Sequence, residues 1–204
     1  MHQRCTRDTM TDTENSLRAI TPEWGQRHVA GTIAGDPDSA LCLFSAMDDA
    51  TRGKACRLLL WEIPASAYRT FLAAAWGHSH RHVITAAWDV ELYELFEYAD
   101  FPVDHLPETF RVWRGASALT PEQTSVGNSW TTTRDAACWF AMRFADGNGS
   151  PVVLAADIQR WEVSYTSNER QESEILLMDP PENWWIDGDT ADWAEGCTRY
   201  EGAK

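Results

Sequence analysis

Three short stretches in the second half of this 204-residue chain carry side chains suited to chemistry. Val112-Trp113-Arg114-Gly115 sets an arginine on a β-like run beside a glycine. A guanidinium offers a planar fork of donors matched to phosphate oxygens, and glycine lets another group come close to the backbone. An ordinary salt-bridged surface arginine fits the same residues. Ser129-Trp130-Thr131-Thr132-Thr133 puts the hydroxyls of Ser129, Thr131 and Thr133 on one strand face, with Trp130 on the other. A half-exposed structural strand has the same look. Glu172-Ser173-Glu174 places two carboxylates one residue apart before an apolar run. On extended backbone they share a face roughly 7 Å apart, close enough for one to raise the pKa of the other. A solvated acidic edge is the plain alternative.

The elements around these residues follow from periodicity. Strands are predicted at Phe110–Arg114, Ser129–Thr133, Pro151–Ile158 and Glu174–Met178. A helix capped by Thr133 carries Ala137, Phe140, Ala141 and Phe144 as its apolar stripe until Gly147. The first half is helical. One amphipathic helix runs from Pro64 to Gly77, and a second starts at Asp89 as its cap and ends before Pro102. Residues 1–20 are polar without periodicity and read as a flexible arm, and the break Asp100–Pro107 puts a boundary near residue 106. The expected domains are therefore an arm over 1–20, a helical part over 21–105 and a strand-bearing core over 106–204.

The three stretches, in this order, resemble the mono-ADP-ribosyltransferases of the arginine-serine-glutamate type. The resemblance rests on VWRG (112–115), SWTTT (129–133) with the helix RDAACWFA (134–141), and RQESEILL (170–177), and covers about residues 106–180. It implies an α+β chain in which an N-terminal helical part precedes an ADP-ribosyltransferase-like β-sandwich with an NAD cleft. It also implies NAD as substrate, with Arg114 and Gly115 at the diphosphate and Ser129 and Thr131 shaping the nicotinamide-ribose pocket. Thr131 stands where the family also uses serine, and Trp130 replaces a small residue. Glu174 would be the catalytic glutamate and Glu172 the residue that orients the acceptor and takes its proton, with the loop Tyr165–Gln171 helping to choose the target. Arg143 is a candidate second NAD contact from its place on the following helix. The ExE pair implies an arginine of a target protein as acceptor, and the family suggests a bacterial or phage toxin-like modifier.

The chemistry supports Glu174 independently. Cleaving the nicotinamide–ribose bond develops positive charge on the ribose, which a fixed carboxylate stabilises while accepting a hydrogen bond from the 2′-hydroxyl. The same pocket could give ADP-ribose to water as a glycohydrolase. A different class, a non-catalytic acidic inhibitor of a basic partner, fits the charge equally.

That charge is −14 with a pI near 4.7, which opposes binding to nucleic acid through phosphate attraction and suits a cationic partner. Between Asp157 and Lys204, 12 acidic residues face 4 basic ones, a net of −8. No run reaches the roughly 18 apolar residues of a membrane helix. Met1–Arg7 does not resemble a signal peptide, so a cytoplasmic location, bacterial or in a phage-infected host, is expected. The five cysteines form no CxxC pair and read as free thiols. His78, His80 and His82 alternate, but no carboxylate or cysteine follows at ligand spacing; an exposed polar turn is expected there, and no metal.

Overall fold

Two compact units divide the chain, Met1–Phe101 and Pro102–Lys204. The computed structural model describes residues 5–87, 92–145, 149–168 and 171–203.

The first unit is helical. It contains α1 (Cys5–Ile20), a 3-10 turn (Glu23–His28), α2 (Val29–Ile33), α3 (Pro37–Ala46), α4 (Asp49–Leu59), α5 (Ala65–Ala86) and α6 (Leu92–Ala99). Asp36 caps α3 by accepting from the Asp38 and Ser39 amides at 3.3 and 3.1 Å, and Asp48 caps α4 by accepting from Thr51 N at 2.8 Å. Leu17, Leu43, Leu59, Tyr68, Phe71, Leu72 and Phe96 are buried together with other apolar side chains of this unit.

Residues 1–20, expected as a flexible arm, instead contain α1. Burial of Leu17 and the i,i+4 pair of Arg18 with Glu14 at 2.7 Å support a helix that polar composition alone concealed. Helix α5 also departs from expectation by running past Gly77 to Ala86. It bends at Ser79 (φ −138°, ψ 29°), whose buried hydroxyl donates to Asp49 Oδ1 at 2.8 Å, and Val83 beyond the bend is fully buried. His78, His80 and His82 therefore lie on a helix rather than in a turn. The His78 ring nitrogen Nδ1 pairs with the Ala74 carbonyl at 3.1 Å, while the His80 ring centroid is 6.0 Å from that of Trp76. Among the described residues no three His, Cys, Asp or Glu side chains are grouped to hold a metal, and no helix is long and apolar enough to cross a membrane. The expected cap Asp89 lies outside the described residues.

The second unit combines helices with a sheet, and the chain as a whole is α+β. Its strands are β1 (Thr109–Ser117), β2 (Ser129–Thr131), β3 (Pro151–Gln159), β4 (Val163–Ser167), β5 (Glu174–Leu177) and β6 (Trp184–Ile186). Its helices are α7 (Pro121–Ser125), α8 (Arg134–Met142) and α9 (Thr190–Ala203). The strands form one antiparallel sheet in the order β4-β5-β2-β1-β3-β6. The expected sandwich of two sheets is thus replaced by a single hydrogen-bonded one.

That sheet has a weak seam. β1 and β3 pair along their full lengths, from Thr109↔Gln159 to Ser117↔Pro151, whereas β1 and β2 share only Trp113↔Thr131. A single core draws on both sides of the seam: Val112, Val152, Leu154 and Ile158 from β1 and β3, with Trp130, Val163, Ile175 and Leu177 from β2, β4 and β5. A second core lies under α8 and α9, where Ala137, Cys138 and Ala141 meet Val153 and Trp193. Asp187 fixes the approach to α9, its carboxylate accepting from Trp113 Nε1 at 2.7 Å and Arg134 Nε at 2.8 Å, and its carbonyl from Trp193 Nε1 at 2.8 Å.

Gly115 has a packing reason to lack a side chain. A Cβ there would lie 1.7 Å from the Ala137 carbonyl oxygen, so the group that comes close to this glycine is α8. Thr133 occupies the N-cap of α8 without a side-chain cap bond; its amide donates instead to Thr131 Oγ1 at 3.0 Å. Phe144, expected on the apolar stripe, is 52% exposed. The expected stop Gly147 lies outside the described residues.

Candidate active site

Parity along β2 sorts its residues. Trp130 enters the core, with its indole nitrogen donating to the Gly127 carbonyl at 2.9 Å, so the bulky residue at this position packs rather than projecting with its neighbours. Ser129 and Thr131 take the opposite face. The register sets Ser129 against Leu176 and Thr131 against Glu174, which makes Ser129 and Glu174 diagonal neighbours within reach of a long side chain.

They meet. Ser129 Oγ donates to Glu174 Oε1 at 2.5 Å, and Glu174 is only 6% exposed. Two other contacts bring Arg114 to the same place. Its Nε donates to the Thr124 carbonyl at 2.8 Å, and its Nη1 donates to the Ser129 carbonyl. Burial pulls the Arg114 pKa below the ordinary arginine value, and the Glu174 charge opposes that fall. An arginine begins so high that its charge persists at ordinary pH. The site therefore holds a fixed cation and a fixed, nearly buried carboxylate joined through one serine.

Sequence reasoning missed the residues that seat Arg114. A Cβ on Gly127 would come 2.0 Å from Arg114 Nη2, so the guanidinium lies in the space of an absent side chain. Thr124, whose carbonyl it engages, lies in the last turn of a short helix, Pro121–Ser125, begun by a capping box of Thr120 and Gln123. The Thr-x-x-Gln spacing was a readable signal for that helix, but nothing marked Gly127 as the partner of Arg114.

No family model, curated protein or solved structure matches this chain.

The second carboxylate sits differently from expectation. β5 begins at Glu174, and Gln171 and Ser173 have φ of 59° and 48°, so the backbone joining Glu172 to Glu174 is a turn rather than an extended strand. The two glutamates do not share a strand face. Glu172 is half-buried, its carbonyl accepts from Thr131 Oγ1 at 2.5 Å, and the Ser173 carbonyl accepts from Thr132 N at 3.1 Å. Thr131 is thus committed to holding this turn. Asn168 closes it from the other side, its carbonyl accepting from Gln171 N at 3.0 Å and its side-chain oxygen from Ser173 N at 3.2 Å.

Two other residues named from the sequence have definite places in the structure. Tyr165, assigned to a target-choosing loop, is a buried residue of β4, which shortens the connection to the residues after Ser167. Arg143 follows α8 and sets its guanidinium over the rings of Trp139, Phe140 and Phe144 at 4.8, 5.0 and 4.6 Å. Its guanidinium thus packs on this aromatic cluster.

Proposed function

We propose that this chain transfers ADP-ribose from NAD to the guanidinium of an arginine on another protein, releasing nicotinamide. One observation carries the reading: the buried Glu174 carboxylate held at 2.5 Å by Ser129, the residue whose carbonyl also receives Arg114. These residues come from the three sequence stretches that resemble the arginine-serine-glutamate transferases.

In this reading Ser129 fixes the rotation of the Glu174 side chain. Glu174 accepts a hydrogen bond from the ribose 2′-hydroxyl and stabilises positive charge as the bond from C1′ to the pyridinium nitrogen breaks. The bonding pair leaves with nicotinamide, which departs neutral. Arg114 supplies positive charge for the diphosphate and stiffens the segment from Thr124 to Ser129. Glu172 takes the proton that the acceptor guanidinium gives up as its nitrogen bonds to C1′. One proton is released per transfer. The net negative charge of residues 157–204 favours a cationic acceptor protein.

The decisive experiment incubates the protein with NAD labelled in its adenylate half and with agmatine as a free guanidine. Nicotinamide release with label on agmatine is the expected result. A folded protein that releases no nicotinamide overturns the reading. Release without labelled agmatine or protein makes the chain a glycohydrolase.

A further inference from the structure

The turn that presents Glu172 is held by β2 through Thr131 and Thr132 and closed by Asn168, as described above. A further hold comes from a helix near the end of the chain: the Tyr200 hydroxyl on α9 donates to the Gln171 carbonyl at 3.1 Å. This contact lands on the residue next to Glu172, in a stretch where two non-glycine residues have positive φ. Such backbone persists only where its surroundings fix it.

Tyr200 is itself firmly placed. It is 7% exposed, and its ring centroid is 5.9 Å from that of Trp139 on α8. One residue earlier, Arg199 donates to both carboxylate oxygens of Asp135 at 2.9 and 2.7 Å. Gly196, one turn back, is so close to α8 that a Cβ would lie 2.7 Å from Cys138 Sγ. The hydroxyl therefore acts from a platform that does not depend on the turn. Glu174, in contrast, is placed by strand register and Ser129.

We propose that Tyr200 is a positioning residue for Glu172, so that α9 governs how ADP-ribose is divided between a guanidine acceptor and water. The proposal rests on the transferase reading above. Losing the Tyr200 hydroxyl loosens the acceptor side of the site while leaving bond cleavage at Glu174 intact. In the transfer branch, the guanidine nitrogen forms the bond to C1′ and its proton passes to Glu172. In the hydrolytic branch, a water oxygen forms that bond and its proton goes to solvent.

The test compares wild type with Tyr200→Phe, which keeps the ring against Trp139 and deletes only the donor. With NAD and agmatine, total nicotinamide release should stay within about twofold, while the share of ADP-ribose reaching agmatine falls about fivefold, the size of effect expected from one hydrogen bond. Hydrogen exchange over residues 171–174 should accelerate by a similar factor, with α8 unchanged. In a Glu172→Gln background, Tyr200→Phe should cause no further fall in that share, because both changes act on one group. An unchanged division in an active enzyme, or unchanged exchange in the turn, overturns this proposal alone. Wild-type protein without nicotinamide release overturns the transferase reading beneath it.

Discussion

Gly127 and Arg114 are paired as hollow and occupant. A side chain on the glycine would begin 2.0 Å from the guanidinium, and that guanidinium in turn ties down the carbonyls of Thr124 and Ser129. Gly115, at the other face of β1, would strike the backbone of α8 at 1.7 Å. The two glycines therefore respond differently to the same substitution. Gly115→Ala meets backbone that cannot yield and should destabilise the protein by about 3 kcal/mol or more. Gly127→Ala meets the end of a long side chain, costs about 1 kcal/mol and displaces Arg114. Denaturant melts give the stabilities. An NAD titration should show weakened binding for folded Gly127→Ala.

Glu174→Gln retains an acceptor for the Ser129 hydroxyl but removes the negative charge. Nicotinamide release should fall by about two to three orders of magnitude with the circular dichroism unchanged. Ser129→Ala should lose less, about tenfold, because the carboxylate remains but is no longer fixed. Glu172→Gln should reduce transfer to agmatine more than it reduces nicotinamide release. Chromatographic assay of nicotinamide and ADP-ribosylated agmatine separates these outcomes.

The alternation in Ser129-Trp130-Thr131 was legible because a strand side chain has only two directions, and the tryptophan marked the core side. Glu172-Ser173-Glu174 misled for the same reason. Alternation presumes extended backbone, and Ser173 has a φ of 48°, a conformation that serine does not announce in sequence. Helix α5 was truncated at Gly77 because glycine is a common stop, whereas burial of Val83 and the Ser79–Asp49 bond carry the helix onward. The seating of Arg114 was invisible. It joins residues in β1, after α7 and in β2, and nothing in their separate spacings encodes that meeting.

Tyr68 offers a stability test in the helical unit. Its side chain is fully buried, its hydroxyl has no hydrogen-bond partner among the described residues, and burial pushes its pKa upward. Tyr68→Phe removes a polar group that lost its water on folding and gained nothing in return. The variant should be more stable by about 1 kcal/mol, measured by urea denaturation.

The α4 cap gives a pH dependence with a definite sign. Hydrogen bonds from Thr51 hold the Asp48 carboxyl below its ordinary 3.8. A group whose pKa is depressed by folding contributes stability above its unfolded pKa and loses it as pH falls through the folded one. Asp48→Ala should therefore melt at a lower temperature than wild type near neutral pH, about pH 7. The gap should narrow once the pH is taken below 3.8. A constant gap throughout would show that the charge of Asp48 is not the source of the difference.

The lone Trp113↔Thr131 pair has a mechanical corollary. A long ladder resists opening along all its rungs, whereas here one rung joins the strand bearing Arg114 to the strand bearing Ser129. Any widening or narrowing of the angle between those strands is opposed mainly by side chains, with the Arg114 guanidinium serving as the clasp across the gap. On the proposed transferase reading, the grip on NAD would then be adjusted by a single cationic side chain, while the strands themselves stay intact.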